Sequence, residues 1–405
     1  MGQTTNYLES LSSPLSAEIS KLVNFIIRDA IAMKGSDIHF DGWEDSVAVR
    51  VRTSGMLTEL AHLPLEFKER IAGRVKVMAN LVSHLSGVPQ DGKASLGPDF
   101  GNVQLRVSIM PTIRGEAIVC RIFDPNTRAF DINSLGFDDD TLKTYINLLN
   151  KPNGLILLTG PTGSGKTTAI YSSLFYLISK HGTTINIASV EDPVEVPLST
   201  VRQSPLNAAN GYTYADALKS LMRQDPQVIM LGEIRDPETA NIAVQAGLTG
   251  HLVISTLHSG TTPGCFARLI NMNIEPFLLA SSILGIMGVR LVRKNCPHCS
   301  VPYRPESALL KTLLKPELDR ANFLRGTGCA ECNHTGCSGR LSLCELLVVS
   351  EDLRDAVLEK KPTRQLQEIA VLGGMKTLWQ SGLDKALAGE CTLEEVARKA
   401  AADQI

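Results

Sequence analysis

Aromatic residues are scarce in this sequence, at 5% of 405 residues, yet 43% of the chain is hydrophobic because Leu, Ile and Val are frequent. Scarcity of rings therefore does not argue for disorder. An excess of either charge is also lacking: 40 Lys and Arg against 42 Asp and Glu leave a formal charge of −2. That balance offers no bulk polycation for gripping DNA or RNA, and no nucleic-acid partner is expected. Long apolar runs are missing too. The longest nearly apolar stretch, Phe277 to Val289, is interrupted by Ser and Gly. It falls short of the ~20 residues that a bilayer crossing needs, so direct membrane insertion is not expected. The opening residues MGQTTNYLES lack a basic segment followed by an apolar core, and no signal peptide is read from them. Nine cysteines make an odd count, which argues against a disulfide scaffold and for metal ligands or buried thiols. The length exceeds one ordinary core, so a cytoplasmic protein of two or three domains is expected.

Patterning divides the chain. Residues 1–14, rich in Ser, Thr and Asn, read as a flexible N-terminal tail. Ile19, Leu22, Val23, Ile26 and Ile27 then recur at helical spacing to about Met33. Alternation predicts strands over 46–53, 103–109 and 116–123, and 67–85 reads as a helix. Residues 15–123 are thus expected to form a small α+β domain, and the polar stretch 124–133, with Pro125, suits a hinge linker. From 134 to 294, apolar strands at 155–159, 185–190, 228–231 and 252–256 alternate with helices following Lys166, Tyr214 and Glu238. This alternation implies βαβ units and a mostly parallel sheet, an α/β core. A cysteine-bearing segment follows over 295–345, and 346–405 end in helices. Thr392-Leu-Glu-Glu395 resembles a capping box opening the last of them.

Gly160-Pro161-Thr162-Gly163-Ser164-Gly165-Lys166-Thr167 fits G-x-x-x-x-G-K-[ST], directly after a strand and before a helix starting near Thr168. Glycines let successive N–H groups curl round a phosphate, and the helix N-terminus adds positive dipole. Residues 160–168 are accordingly the expected nucleotide-binding site. Lys166 would reach the β- and γ-phosphates, and the Thr167 hydroxyl would ligate Mg²⁺. Strand 228–231 ends in Gly232-Glu233 with no Asp at its tip, which makes Glu233 the candidate for polarising the attacking water. Glu191, Asp192 and Glu195 follow strand 185–190, at the end where parallel sheets place ligand residues. Of these, Glu191 is the stronger catalytic candidate; Glu195 also fits a solvated surface acid. His258, past strand 252–256, could donate a hydrogen bond to the γ-phosphate, or be a packed neutral histidine. His251 suits the second role better.

Cys296-Pro-His-Cys299 and Cys329-Ala-Glu-Cys332 are two C-x-x-C knuckles with 29 residues between them. Two such knuckles can close a structural Cys₄ zinc site, although the usual separation is ~15–20 residues. A redox pair and four buried thiols are the competing readings. Cys337, Cys344, His298 and His334 are spare ligands.

Together these pieces resemble one family, the ATPases of type II secretion and type IV pilus assembly. The ordered set SVEDPVE (189–195), RQDPQVIMLGEIRDPETA (223–240) and TGHLVISTLHS (249–259) resembles that family's aspartate box, Walker B region and histidine box. SDIHF (36–40), VPQDG (88–92), LRVSIMPT (105–112) and GEAIVCRIF (115–123) resemble its N-terminal domain, and GGMKTL (373–378) and TLEEV (392–396) its C-terminal helices. The resemblance covers roughly residues 18 to 400. It implies a RecA-like P-loop core, a ring-shaped homo-hexamer, and ATP held between the N-terminal domain and the core. Basic residues of the smaller domain would close over the phosphates, with Arg50, Arg52 and Arg106 as candidates; exposed strand arginines are the plainer alternative. It further implies Mg²⁺-dependent ATP hydrolysis that powers a pilus or pseudopilus through an inner-membrane platform protein. The cysteine pairs occur in assembly and secretion members and are typically absent from retraction motors. An ATPase of conjugation or type IV secretion is the alternative. A DNA translocator and a non-hydrolysing switch are the more distant rivals. Ser54 stands where the family usually has Asp, and Val289 where it has Gln. The sequence begins almost at SDIHF, so the separate docking module of many relatives is expected to be lacking.

Overall fold

The computed structural model describes residues 2–11, 17–123, 130–206, 211–305 and 322–400. The chain divides into two compact units, residues 1–129 and 130–405. Residues 124–129 of the expected hinge and 12–14 of the expected tail lie outside the described residues.

The first unit contains α1 (Gln3–Glu9), α2 (Ile19–Ala32), β1 (Asp37–Gly42), β2 (Ser46–Thr53), β3 (Met56–Pro64), α3 (Phe67–Met78), β4 (Gln90–Ser95), β5 (Gln104–Thr112) and β6 (Gly115–Phe123). Its six strands pair antiparallel in the order β3-β2-β1-β6-β5-β4. Alternation in SVAVRVRT does what its period dictates. Val47, Val49 and Val51 point into a core with Leu22, Ile26, Phe67 and Ile71, while Arg50 and Arg52 take the other face. Two expectations change here. The helix predicted over 67–85 stops at Met78, because Asn80 turns left-handed (φ 56°) just after it. The tail read as flexible carries α1, whose first N–H groups, of Gln3 and Thr4, donate to the Asp29 carboxylate at 2.9 and 2.8 Å. A side chain on a separate helix thus supplies the cap that the local sequence lacks.

The second unit is built on a seven-stranded sheet. Its elements run α4 (Asp139–Leu149), β7 (Gly154–Thr159), α5 (Lys166–His181), β8 (Ile187–Glu191), β9 (Arg202–Pro205), α6 (Tyr214–Leu221), β10 (Val228–Leu231), α7 (Pro237–Leu248), β11 (Leu252–Leu257), α8 (Gly264–Asn271), α9 (Pro276–Ser282) and β12 (Ile283–Asn295). A two-stranded ribbon of β13 (Ser300–Tyr303) and β14 (Phe323–Gly326) comes next, followed by β15 (Cys337–Val348). The order is β15-β12-β7-β11-β10-β8-β9, parallel throughout except for β15. Every residue of β7, β10 and β11 is buried, as expected of parallel strands covered on both faces.

The apolar stretch 277–289 is two elements, α9 turning directly into β12, which lies against β7. The cysteine segment 295–345 is no separate body: its last strand, β15, is the edge of the large sheet. Helices Glu351–Leu358, Thr363–Leu372, Leu378–Leu387 and Leu393–Ala400 close the described chain. The capping box at the last of them is half formed. Thr392 Oγ1 accepts from Glu395 N–H at 3.3 Å, but the Glu395 carboxylate is taken by Arg293 and Arg398.

Candidate functional site

The fully buried strand β7 ends at Thr159, α5 begins at Lys166, and the glycine-rich loop spans the gap. Gly160, Gly163 and Gly165 adopt φ values of 149°, 75° and 102°, where side chains are disfavoured. Gly160 is also cramped: a Cβ there would lie 2.5 Å from the Val289 carbonyl oxygen and 2.6 Å from Ser164 Oγ. Lys166 folds back over the loop, donating to the Gly160 and Pro161 carbonyls at 2.6 and 3.1 Å. Burial lowers its pKa, nearby Glu233 opposes that shift, and Arg290 adds to it. Ser164 Oγ is buried and finds no hydrogen-bond partner among the described residues. Thr167 and Thr168 sit half-buried on the first turn of α5. Curled amides, a helix N-terminus and a cation make an anion cradle.

The carboxylates lie at neighbouring strand ends. Glu191, 3% exposed at the end of β8, accepts from the Tyr171 hydroxyl, from Ser189 Oγ at 2.6 Å and from Gln203 Nε2 at 3.0 Å. Glu233, just past β10, accepts from Arg235 Nε at 2.6 Å and stands 3.3 Å from His258 Nε2. Arg235 also reaches Asp192 at 3.7 Å. His258 is half exposed beyond β11, whereas His251 sits against the Ala246 carbonyl at 3.2 Å. Structure therefore brings together the phosphate loop, Glu233 and His258. Glu191 lies at the neighbouring strand end, its carboxylate bound to Tyr171 of α5, Ser189 and Gln203.

Arg50, Arg52 and Arg106 belong to the first unit. Arg50 pairs with Asp41 at 2.7 Å, and Arg52 donates to the Gly55 carbonyl at 3.1 Å and approaches Asp37 at 3.8 Å. Arg106 lies over the Phe123 ring at 4.6 Å. Register places Arg52, Asp37, Arg121 and Arg106 opposite one another across β2, β1, β6 and β5, so they share a face.

Sequence reasoning did not single out Arg235 or Arg290. Arg290 is 8% exposed on β12 and donates to the Gly260 carbonyl at 2.7 Å. An arginine inside the apolar run GVRLV was the available signal.

The four knuckle cysteines converge, with all four sulfurs within 4.8 Å of one another. Cys296 to Cys329 and Cys299 to Cys332 are each 3.9 Å, and Cys329 to Cys332 is 3.7 Å. A tetrahedral ion with ~2.3 Å bonds to sulfur separates its ligands by about 3.8 Å, so the cluster fits such an ion. Pairing of Ser300 with Gly326 in the ribbon brings the two knuckles together. N–H groups of Gly328, Cys329 and Gly336 donate to the sulfurs of Cys299, Cys332 and Cys332, each at 3.2 Å. Against the effect of burial, the donors to Cys332 pull its pKa down. The spare candidates Cys337 and Cys344 lie on β15, outside the cluster.

A mostly parallel α/β sheet with a glycine-rich anion cradle after β7 and an acid just past β10, two strands along, defines the class: an α/β protein with a candidate anion site. The chain belongs to the type II/IV secretion system protein family, whose model matches residues 14–398. It is 39% identical over 406 residues to the type IV pilus assembly ATPase PilB of Myxococcus xanthus, covering 99% of this chain and 71% of that protein. To the type II secretion system ATPase E of Vibrio cholerae it is 41% identical over 388 residues, covering 96% and 76%. The resemblance carried by the motifs is thus borne out. Among solved structures, the Legionella pneumophila ATPase DotB superposes with a TM-score of 0.69 at 20% identity, covering 95% of this chain and 96% of that one. The pilus retraction motor PilT with bound ADP gives 0.61 at 24%, covering 92% and 95%. At these identities the likeness concerns the fold. No helix among the described residues is long and apolar enough to cross a membrane.

Proposed function

We propose that this chain is the cytoplasmic ATPase subunit of a type IV pilus or type II secretion machine, working as a homo-hexamer beneath an inner-membrane platform protein. The observation that carries the reading is the Lys166 cradle with Glu233 beside it, in a chain about 40% identical along most of its length to two named ATPases. The core is read as RecA-like, with ATP phosphates on the amides of residues 160–168. On binding, Lys166 exchanges the carbonyls of Gly160 and Pro161 for phosphate oxygens. Mg²⁺, bound through Thr167, supplies charge neutralisation at the β- and γ-phosphates. Glu233 orients the attacking water and accepts its proton, with Arg235 and His258 holding the carboxylate in place. His258 also meets the γ-phosphate, and Glu191 supports the site through α5. Arg50, Arg52 and Arg106 are the cation candidates that the first unit offers. Zn²⁺ on Cys296, Cys299, Cys329 and Cys332 closes the ribbon as a structural ion.

The test is phosphate release by the purified chain with ATP and Mg²⁺, with and without EDTA. Turnover abolished by chelation is expected; no turnover in the hexameric form rejects the reading.

A further inference from the structure

Residues His258–Thr262, the loop after β11, are laid across three strands. Thr159 of β7, Gly288 of β12 and Glu345 of β15 stand opposite one another in register, so their side-chain positions share one face. At one end of this row, the Thr159 hydroxyl donates to the Ser259 carbonyl at 2.9 Å and accepts from the Ser259 N–H at 3.1 Å. In the middle, Gly288 leaves the loop its room: a Cβ there would meet Thr262 Cγ2 at 3.1 Å and Glu345 Cβ at 3.7 Å. At the far end, the Thr262 hydroxyl donates to Glu345 Oε1. The loop that carries His258 is therefore fastened at both ends to one row, which starts at the last residue of β7 before the phosphate loop.

Glu345 also faces away from this loop. Its other oxygen, Oε2, accepts from the N–H of Leu378, the first residue of helix Leu378–Leu387. Thr377 and Gln380 satisfy each other's N–H groups in a capping box, at 2.9 and 3.2 Å, which leaves the Leu378 N–H for an outside acceptor. The helix dipole favours a carboxylate there. At 2% exposure Glu345 lies beyond bulk water, so each oxygen depends on its protein partner. One buried carboxylate spans two elements that are 83 and 33 residues from it in sequence.

We propose that Glu345 is a positioning residue that sets the His258–Thr262 loop against the phosphate loop according to where helix Leu378–Leu387 sits. Displacement of that helix then reaches the nucleotide site through a single side chain. The kinetic half of this inference rests on the ATPase reading above; the mechanical half does not.

Thr262→Val tests it, since the substitution removes the donor and keeps the side-chain shape. Backbone hydrogen exchange of the intact chain, without nucleotide, is followed at residues 258–262 and 378–381. Exchange is expected to rise about tenfold at both segments, the size of one lost hydrogen bond to a charged group. Glu345→Gln, whose amide can still accept from Leu378 and donate to Thr262, should stay within about threefold of wild type at both. In turnover, Thr262→Val should lower kcat about tenfold and leave KM within about twofold. A rise confined to 258–262, or an unchanged kcat in Thr262→Val, overturns the proposal. If the wild-type chain turns over no ATP, the ATPase reading fails instead, and exchange alone judges Glu345.

Discussion

Two sites lie along one strand and are held together in opposite ways. At Gly288–Arg290, β12 borders the phosphate loop; a few residues later it runs into Cys296 and the cysteine cluster. In the phosphate loop Lys166 donates to the carbonyls of Gly160 and Pro161 in its own loop, and Gly160, Gly163 and Gly165 hold positive φ. In the cluster the sulfurs crowd at 3.7–3.9 Å with three N–H donors among them. The first arrangement suits a guest that comes and goes. The second suits an ion that stays and contributes to folding.

The sharpest way to break this comparison is metal removal, which should have the largest effect. Trp379 packs with Phe323, Val292 and Leu343 beside the ribbon, whereas Trp43 is exposed in the first unit. Chelation, or Cys332→Ser, should shift Trp379 emission to the red; Trp43→Phe isolates that signal. An unchanged spectrum after metal loss would make the cluster four buried thiols. Next in size, Lys166→Ala should lower ATP turnover ~10²–10³-fold, the scale of one lost transition-state donor. Thermal melting should move by only a few degrees, because the lysine's bonds are to its own loop. A collapse in melting temperature there would remove the distinction between the sites.

The smallest effect concerns acid. Burial pushes the Glu395 pKa up, but hydrogen bonds and charge from Arg293, with Arg398, hold it below the ordinary 4.5. Its contribution is complete above about pH 4.5 and is lost as pH falls through the lower folded-state value. Glu395→Gln should flatten that part of an acid-unfolding curve read by Trp379. Identical curves for the two proteins would contradict the assignment.

What the sequence made legible was what it writes contiguously. The phosphate loop, both knuckles and Glu233 occupy short stretches whose chemistry follows from residue type and spacing. Strands with clean alternation, such as SVAVRVRT, or continuous apolar runs, such as LVISTL, were equally readable. Hidden features depend on distant partners. QDGKAS is a strand because β5 pairs with it, and α1 stands on a cap supplied by Asp29. The row Thr159–Gly288–Glu345 joins three segments that no local pattern connects. The glutamate of the expected capping box shows the converse: a local pattern overridden by Arg293, 102 residues away.

Glu233→Gln provides the most direct test of the central claim. The amide keeps the shape of the carboxylate at the β10 end and cannot accept the proton of the attacking water. With ATP and Mg²⁺, this variant should bind nucleotide within about threefold of wild type while its single-turnover hydrolysis falls ~10²–10⁴-fold. Hydrolysis at the wild-type rate would show that another group activates the water and would contradict the account.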